Sequence, residues 1–136
     1  MVKALPANII EMLNDKETDK ILGSKSDEHH LHVVPVGSLG ASDERTIYLG
    51  SIFMKETQAN LEKAMGTEDL VSVLVVRGDK AFQNRCKVLE FQMSGPLFSK
   101  MSSAAKIRRM PFLGVWILEP EEIINQSPGR DVGKAL

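Results

Sequence analysis

The chain has 136 residues, 43% hydrophobic and 26% charged, with a formal net charge of −1; this is the size and balance of one soluble globular domain that can bury its own core. Near-neutral charge argues against a polyanion-binding surface and so against nucleic acid as a partner, the basic residues Lys106, Arg108 and Arg109 forming only a local patch. The single cysteine, Cys86, excludes an intrachain disulfide framework and fits a reducing cytoplasm, no apolar run reaches the length of a membrane span, and MVKALPANII turns polar too soon for a secretion signal.

The first helix is expected over residues 5–14, with Pro6 near its first turn and Ile9, Ile10, Met12 and Leu13 as its apolar stripe. Residues 20–24 are a short candidate strand. Residues 30–39 (HLHVVPVGSL) form a second, longer one, in which Pro35 cannot donate a ladder hydrogen bond and therefore implies an edge, a bulge or a gap in the sheet. The polar run ASDER suggests a hairpin turn over 41–45, followed by the β-branched and aromatic strand Thr46-Ile47-Tyr48-Leu49.

That strand turns through residues 50–56 into a short amphipathic helix starting at about Thr57 and stopped by Gly66. The exposed N–H groups and partial positive charge of a helix N-terminus make it a seat for an anion, and Lys55, Thr57 and Gln58 add an ammonium, a hydroxyl and an amide there. A solvated turn with Thr57 as N-cap explains the same residues. Two strands follow, over 69–76 and from 81 to about 93, joined at Gly78; the polar alternation of Arg85, Lys87 and Glu90 is imperfect. Gly95-Pro96 introduces a helix over 97–107, the apolar run PFLGVWIL gives a last strand over 111–118, and the segment from 119 reads as a polar tail. Strands joined by short turns favour a single domain over 1–136, mainly β, with peripheral helices around an antiparallel sheet that closes into a barrel.

His29, His30 and His32 invite a metal reading, since His30 and His32 share one face of a strand, but no ligand set stands at standard zinc spacing, and a polar strand entrance explains them. Cys86 is expected to point inward as an inert thiol. GxGxxG and GxxxxGK[ST] phosphate loops do not occur.

Three ordered segments resemble the pyridoxamine 5′-phosphate oxidase-like family of flavin-binding proteins: His32-Val33-Val34-Pro35-Val36-Gly37, the strand, turn and helix start from Gly50 to Leu61, and Met93-Ser94-Gly95-Pro96-Leu97-Phe98. The ending, with its Ser-Pro-Gly-x-Asp-x-Gly-Lys pattern, is also similar to small members. The resemblance implies a six-stranded antiparallel split β-barrel, a homodimer, and FMN bound at the subunit interface for oxidoreductase or electron-transfer chemistry. It implies that Val33, Val34, Pro35 and Val36 line the isoalloxazine, that Gly50, Ser51 and Ile52 approach it from the next strand, and that Lys55, Thr57 and Gln58 hold the phosphate; the polar tail over 120–136, with its scattered glycines and prolines, reads on its own residues as either a tether or a segment that docks on a partner subunit. Glu56 stands where many members carry a basic residue, with Lys55 one position earlier. The chain is shorter than true pyridoxamine phosphate oxidases and lacks an evident arginine- and serine-rich C-terminal segment like the one that grips their substrate, so vitamin B6 oxidation is not expected. An F420- or haem-binding split barrel, or a non-enzymatic flavin carrier, is the alternative.

Overall fold

The computed structural model describes residues 2–136. Three helices surround one antiparallel sheet: α1 (Ala7–Asn14), β1 (Asp19–Lys25), β2 (Leu31–Pro35), β3 (Leu39–Asp43), β4 (Thr46–Gly50), α2 (Glu56–Ala64), β5 (Leu70–Arg77), β6 (Lys80–Gln92), α3 (Pro96–Ile107) and β7 (Val115–Asn125). The seven strands run in the order β2-β1-β5-β6-β7-β4-β3. The two end strands, β2 and β3, are consecutive in the chain, and the 36–38 connection bonds to both sides of the gap: the Val36 N–H donates to Lys20 O at 2.9 Å, and Ser38 O accepts the Gly50 N–H at 2.9 Å. The sheet therefore curls into a barrel that is split between β2 and β3. Lys20 spans the split, its ammonium donating to Leu39 O at 2.9 Å.

Alternating burial along β5 and β6 sends Val71, Val73, Val75, Phe82, Cys86 and Val88 inward. They meet Ile9 and Leu13 of α1, Leu61 of α2, and Trp116 and Leu118 of β7, in one core. The Phe91 and Trp116 rings pack 4.5 Å apart, centroid to centroid. The imperfect alternation on β6 has a structural cause. Register against β7 shifts between Val88 and Glu90, so Leu89 is an extra residue on a bulge and is partly exposed.

Several boundaries differ from expectation. The strand expected over 30–39 ends at Pro35, and residues 36–38 connect it to a separate strand that opens at Leu39. Residues 39–43 are a strand, not part of the hairpin turn expected over 41–45; the turn is at Glu44-Arg45, and β3 accounts for seven strands where six were expected. Its sequence, LGASD, has little strand propensity, and it is held by the ladder to β4 and by Asn14 of α1, whose amide accepts the Ala41 N–H at 2.8 Å and donates to Ala41 O at 3.1 Å. The last strand starts at Val115 rather than residue 111 and runs to Asn125, through what the sequence suggests is tail. Pro120 fits there because the β6–β7 register shifts beside it. The chain end folds back on β7 through Gly133 N–H to Asn125 O at 2.7 Å and Leu136 N–H to Ile123 O at 2.9 Å.

Pro35 lies on an edge strand. Because the Val36 N–H faces β1, strand alternation turns position 35 to the open edge, where the missing N–H removes no ladder bond.

Candidate functional site

An open cleft of about 1380 Å³ lies over the barrel split. His32, Val34, Pro35 and Val36 form one wall, and Ile52, Lys55, Glu56 and Thr57 form the second. The third is the face of α3 that carries Leu97, Lys100 and Met101, with Arg108 at its C-cap. Lys16 and Lys20 enter from the α1 side. Five cationic side chains against one carboxylate make the cleft favourable for an anion. Burial lowers the Lys20 pKa, and Asp15 partly counters this.

α2 starts at Glu56 with Lys55 as its N-cap, and no side chain caps the helix. Thr57, expected as an N-cap, is therefore within the first turn. Its hydroxyl is buried and lies 3.1 Å from His32 Nε2, while the other ring nitrogen, Nδ1, pairs with the Glu56 carboxylate. Glu56, the charge least suited to an anion site, is thus drawn toward an imidazole.

The expected site residues separate into two groups. Val34, Pro35, Val36, Ile52, Lys55 and Thr57 share the cleft. Val33 points the other way and is 67% exposed. Gly50 lies beneath the cleft: a Cβ there would stand 2.8 Å from Met101 Cε, and Ser38 Oγ donates to Gly50 O at 2.8 Å. Ser51 is buried, and its hydroxyl donates to Gln58 Oε1 at 2.7 Å. The same Oε1 accepts the Trp116 indole N–H at 2.9 Å, and Gln58 Nε2 donates to Glu62 at 3.2 Å. The Gln58 amide is therefore occupied by protein partners. Ser51 also borders a smaller hollow of about 460 Å³ next to the cleft, with Phe53, Phe112 and Leu113.

Sequence reasoning missed Lys16, Lys20, Lys100 and the role of His32. Arg108 was visible only as part of a basic patch. These groups come from the turn after α1, from β1 and β2, and from α3 with its C-cap, and no spacing rule links them.

His30 pairs with Glu28 at the exposed turn before β2, 3.7 Å apart, whereas His32 turns into the cleft. Among the described residues no three His, Cys, Asp or Glu side chains are grouped to hold a metal. Cys86 is fully buried, and burial, with a smaller contribution from Glu121, pushes its thiol well above the ordinary range.

No family model and no curated protein matches the chain. Solved structures do. HupZ of Group A Streptococcus superimposes with a TM-score of 0.74 at 17% identity, over 95% of this chain and 99% of that one. An FMN-binding protein of Syntrophomonas wolfei gives 0.72 at 14% identity, over 90% and 89%. A candidate pyridoxamine 5′-phosphate oxidase of Lactobacillus delbrueckii gives 0.70 at 15%, over 91% and 99%.

The chain has the pyridoxamine 5′-phosphate oxidase-like split-barrel fold.

Split barrels of this shape also include an F420 reductase and the haem storage protein HutZ of Vibrio cholerae, with TM-scores of 0.61 and 0.63. The fold is thus shared by proteins described with different cofactors. Among the described residues, no helix of this split barrel is long and apolar enough to cross a membrane.

Proposed function

We propose that this split barrel binds FMN in the cleft and serves in hydride or electron transfer. The observation that carries the reading is the continuity of one cleft, from the apolar edge of Val34, Pro35 and Val36 to the N-terminus of α2 with Lys55 and Thr57. A flat aromatic ring system needs the first, and a phosphate monoester needs the second. The donor set fits the group: an ammonium, a buried hydroxyl and a helix N-terminus with no side-chain cap. The open edge of β2 offers main-chain groups to the polar rim of a flavin.

Flavin, when bound, supplies the hydride or single-electron chemistry; the protein supplies orientation and electrostatics. Lys55 and Thr57 would grip the phosphate, and Val34 and Val36 would exclude water from one ring face. Lys100 and Arg108 on the opposite wall favour anionic ligands and the reduced, negatively charged form of a flavin. Gln58 and Ser51 act one layer back, fixing the first turn of α2 to Trp116.

The cleft is open along the β2 edge, and Val33 and Leu31 are exposed on that strand. Both features support a homodimer in which a second copy covers the ring, in the cytoplasm where the single reduced cysteine is at home. The absorbance of the purified protein, before and after titration with FMN, tests the cofactor. A bound-flavin spectrum is expected. A Soret band on haem addition with no uptake of FMN overturns the proposal in favour of a haem protein, and uptake of F420 alone overturns it in favour of the deazaflavin.

A further inference from the structure

We propose that the C-terminal end of α3 and the loop after it are a docking surface for an acidic protein. The redox role of that protein, as the partner with which the cofactor exchanges electrons, rests on the FMN reading above; the docking surface itself does not.

Charge is segregated along this chain. From Phe91 to Leu118 the sequence holds Lys100, Lys106, Arg108 and Arg109 and no Asp or Glu. Elsewhere Lys25, Lys63, Arg77, Arg85, Lys87 and Lys134 are each paired with a carboxylate. Among the described residues, none of the four cations on and after α3 has an ion-pair partner. Lys106, Arg108 and Arg109 are exposed. A cation in the last turn complements the helix dipole, but that dipole amounts to about half a charge, and three cations exceed it.

The backbone gives a second, independent sign. The Arg109 N–H donates to Lys106 O at 3.0 Å and the Met110 N–H to Ala105 O at 2.9 Å, a helix stop that needs a left-handed residue at position 109. Arg109 takes that conformation, with a φ of +55°. Glycine is the favoured residue there because a Cβ is strained. The same chain uses glycine at the end of α2, where Gly66 has a φ of +78°. After α3 an arginine stands in its place, so a local gain in stability is forgone for a charge held in solvent.

Apolar side chains interleave with the charge. Ile107 is 84% exposed between Lys106 and Arg108. Leu113 and Phe53 are also exposed, and both border the smaller hollow. Phe53 and Arg108 line the cleft, so this surface opens onto the mouth of the candidate site. Arginine and aromatic residues beside apolar ones are the composition of protein interfaces.

Charge selects the occupant. A second copy related by a twofold axis would set this patch against itself, cations facing cations. Nucleic acid calls for a basic domain, and this one has a net charge of −1. An acidic protein complements the patch, and a small, electrostatically steered contact is the kind that transient redox encounters use.

The test is titration of an acidic plant-type ferredoxin into the FMN-free and the FMN-loaded protein, at about 0.05 M and about 0.5 M salt. Vesicles of phosphatidylserine and phosphatidylcholine and a DNA duplex serve as competing polyanions. Ferredoxin should bind at the lower salt and be released at the higher one. The Lys106→Glu, Arg109→Glu double variant should weaken it by about tenfold or more while FMN affinity is unchanged. Arg109→Gly should weaken ferredoxin severalfold and leave the melting temperature equal or higher, which separates docking from folding. No binding of ferredoxin, the same affinity in both variants, or tighter binding of the vesicles or the duplex overturns the proposal. Ferredoxin binding that responds to the variants in a protein that takes up no FMN upholds the docking surface and overturns the cofactor reading alone.

Discussion

Gln58 shows at residue scale how a side chain with the right chemistry for a ligand can belong to the core instead. It follows a lysine and a threonine at a helix start, where an amide suits a phosphate. Its oxygen is taken by two buried donors, Ser51 Oγ and Trp116 Nε1. Gln58→Ala should therefore act mainly on stability. It leaves the Trp116 N–H without its acceptor, at a cost of about 1–3 kcal/mol. Urea denaturation measures this; an unchanged midpoint would mean that water replaces the amide. Cys86 makes the complementary case. With its thiol fully buried and its pKa pushed up, almost none is thiolate at neutral pH. A thiol-alkylating reagent should leave Cys86 unlabelled in the folded protein and label it fully in denaturant. Rapid labelling of the folded protein would contradict the packing.

At the scale of elements, the sequence is legible where local chemistry and tertiary context agree. β4 is expected over 46–49 and found over 46–50, and Gly66 ends α2 with a φ of +78°, as a left-handed stop requires. The hairpin of β5 and β6 is marked by Val-rich alternation around Gly78. It fails where tertiary contacts override local signals. β3 exists because Asn14 of α1 clamps the Ala41 backbone from both sides, a pairing 27 residues apart that no local pattern contains. Asn14→Ala should loosen the β3 edge and cost about 1–3 kcal/mol, with faster amide exchange confined to residues 39–43. Uniform loss of protection through the barrel would contradict this. β7 extends past Pro120 because a register shift absorbs the proline, and a register shift cannot be inferred from one strand's sequence. Gly114, just before β7, has backbone on one side: an added Cβ would lie 2.7 Å from Gln92 O and 2.6 Å from Phe91 Cζ. Gly114→Ala should cost about 1–3 kcal/mol by overpacking, read as a lower melting temperature.

Across the whole molecule, the candidate site is an outcome of topology. Its walls come from β2, the start of α2 and α3, which the split barrel brings to one gap. Two of these were legible as a strand broken by Pro35 and a cationic helix start. The third was not: the helix is expected over 97–107, but nothing in its sequence shows that Lys100 and the C-cap residue Arg108 turn toward β2. The same topology leaves β2 as an open edge beside the cleft. Sedimentation should give a dimer, and a monomer that binds FMN as tightly would remove the need for a covering subunit. The central claim is that the cleft recognises a phosphate through Lys55 and Thr57, and titration of FMN and riboflavin into the wild type and into the Lys55→Ala, Thr57→Ala double variant tests it most directly. Each charge-assisted hydrogen bond to the phosphate is worth about 1.5–3 kcal/mol, so FMN should weaken by roughly a hundredfold or more while riboflavin changes little. Equal losses for the two ligands, or none for either, would contradict the account.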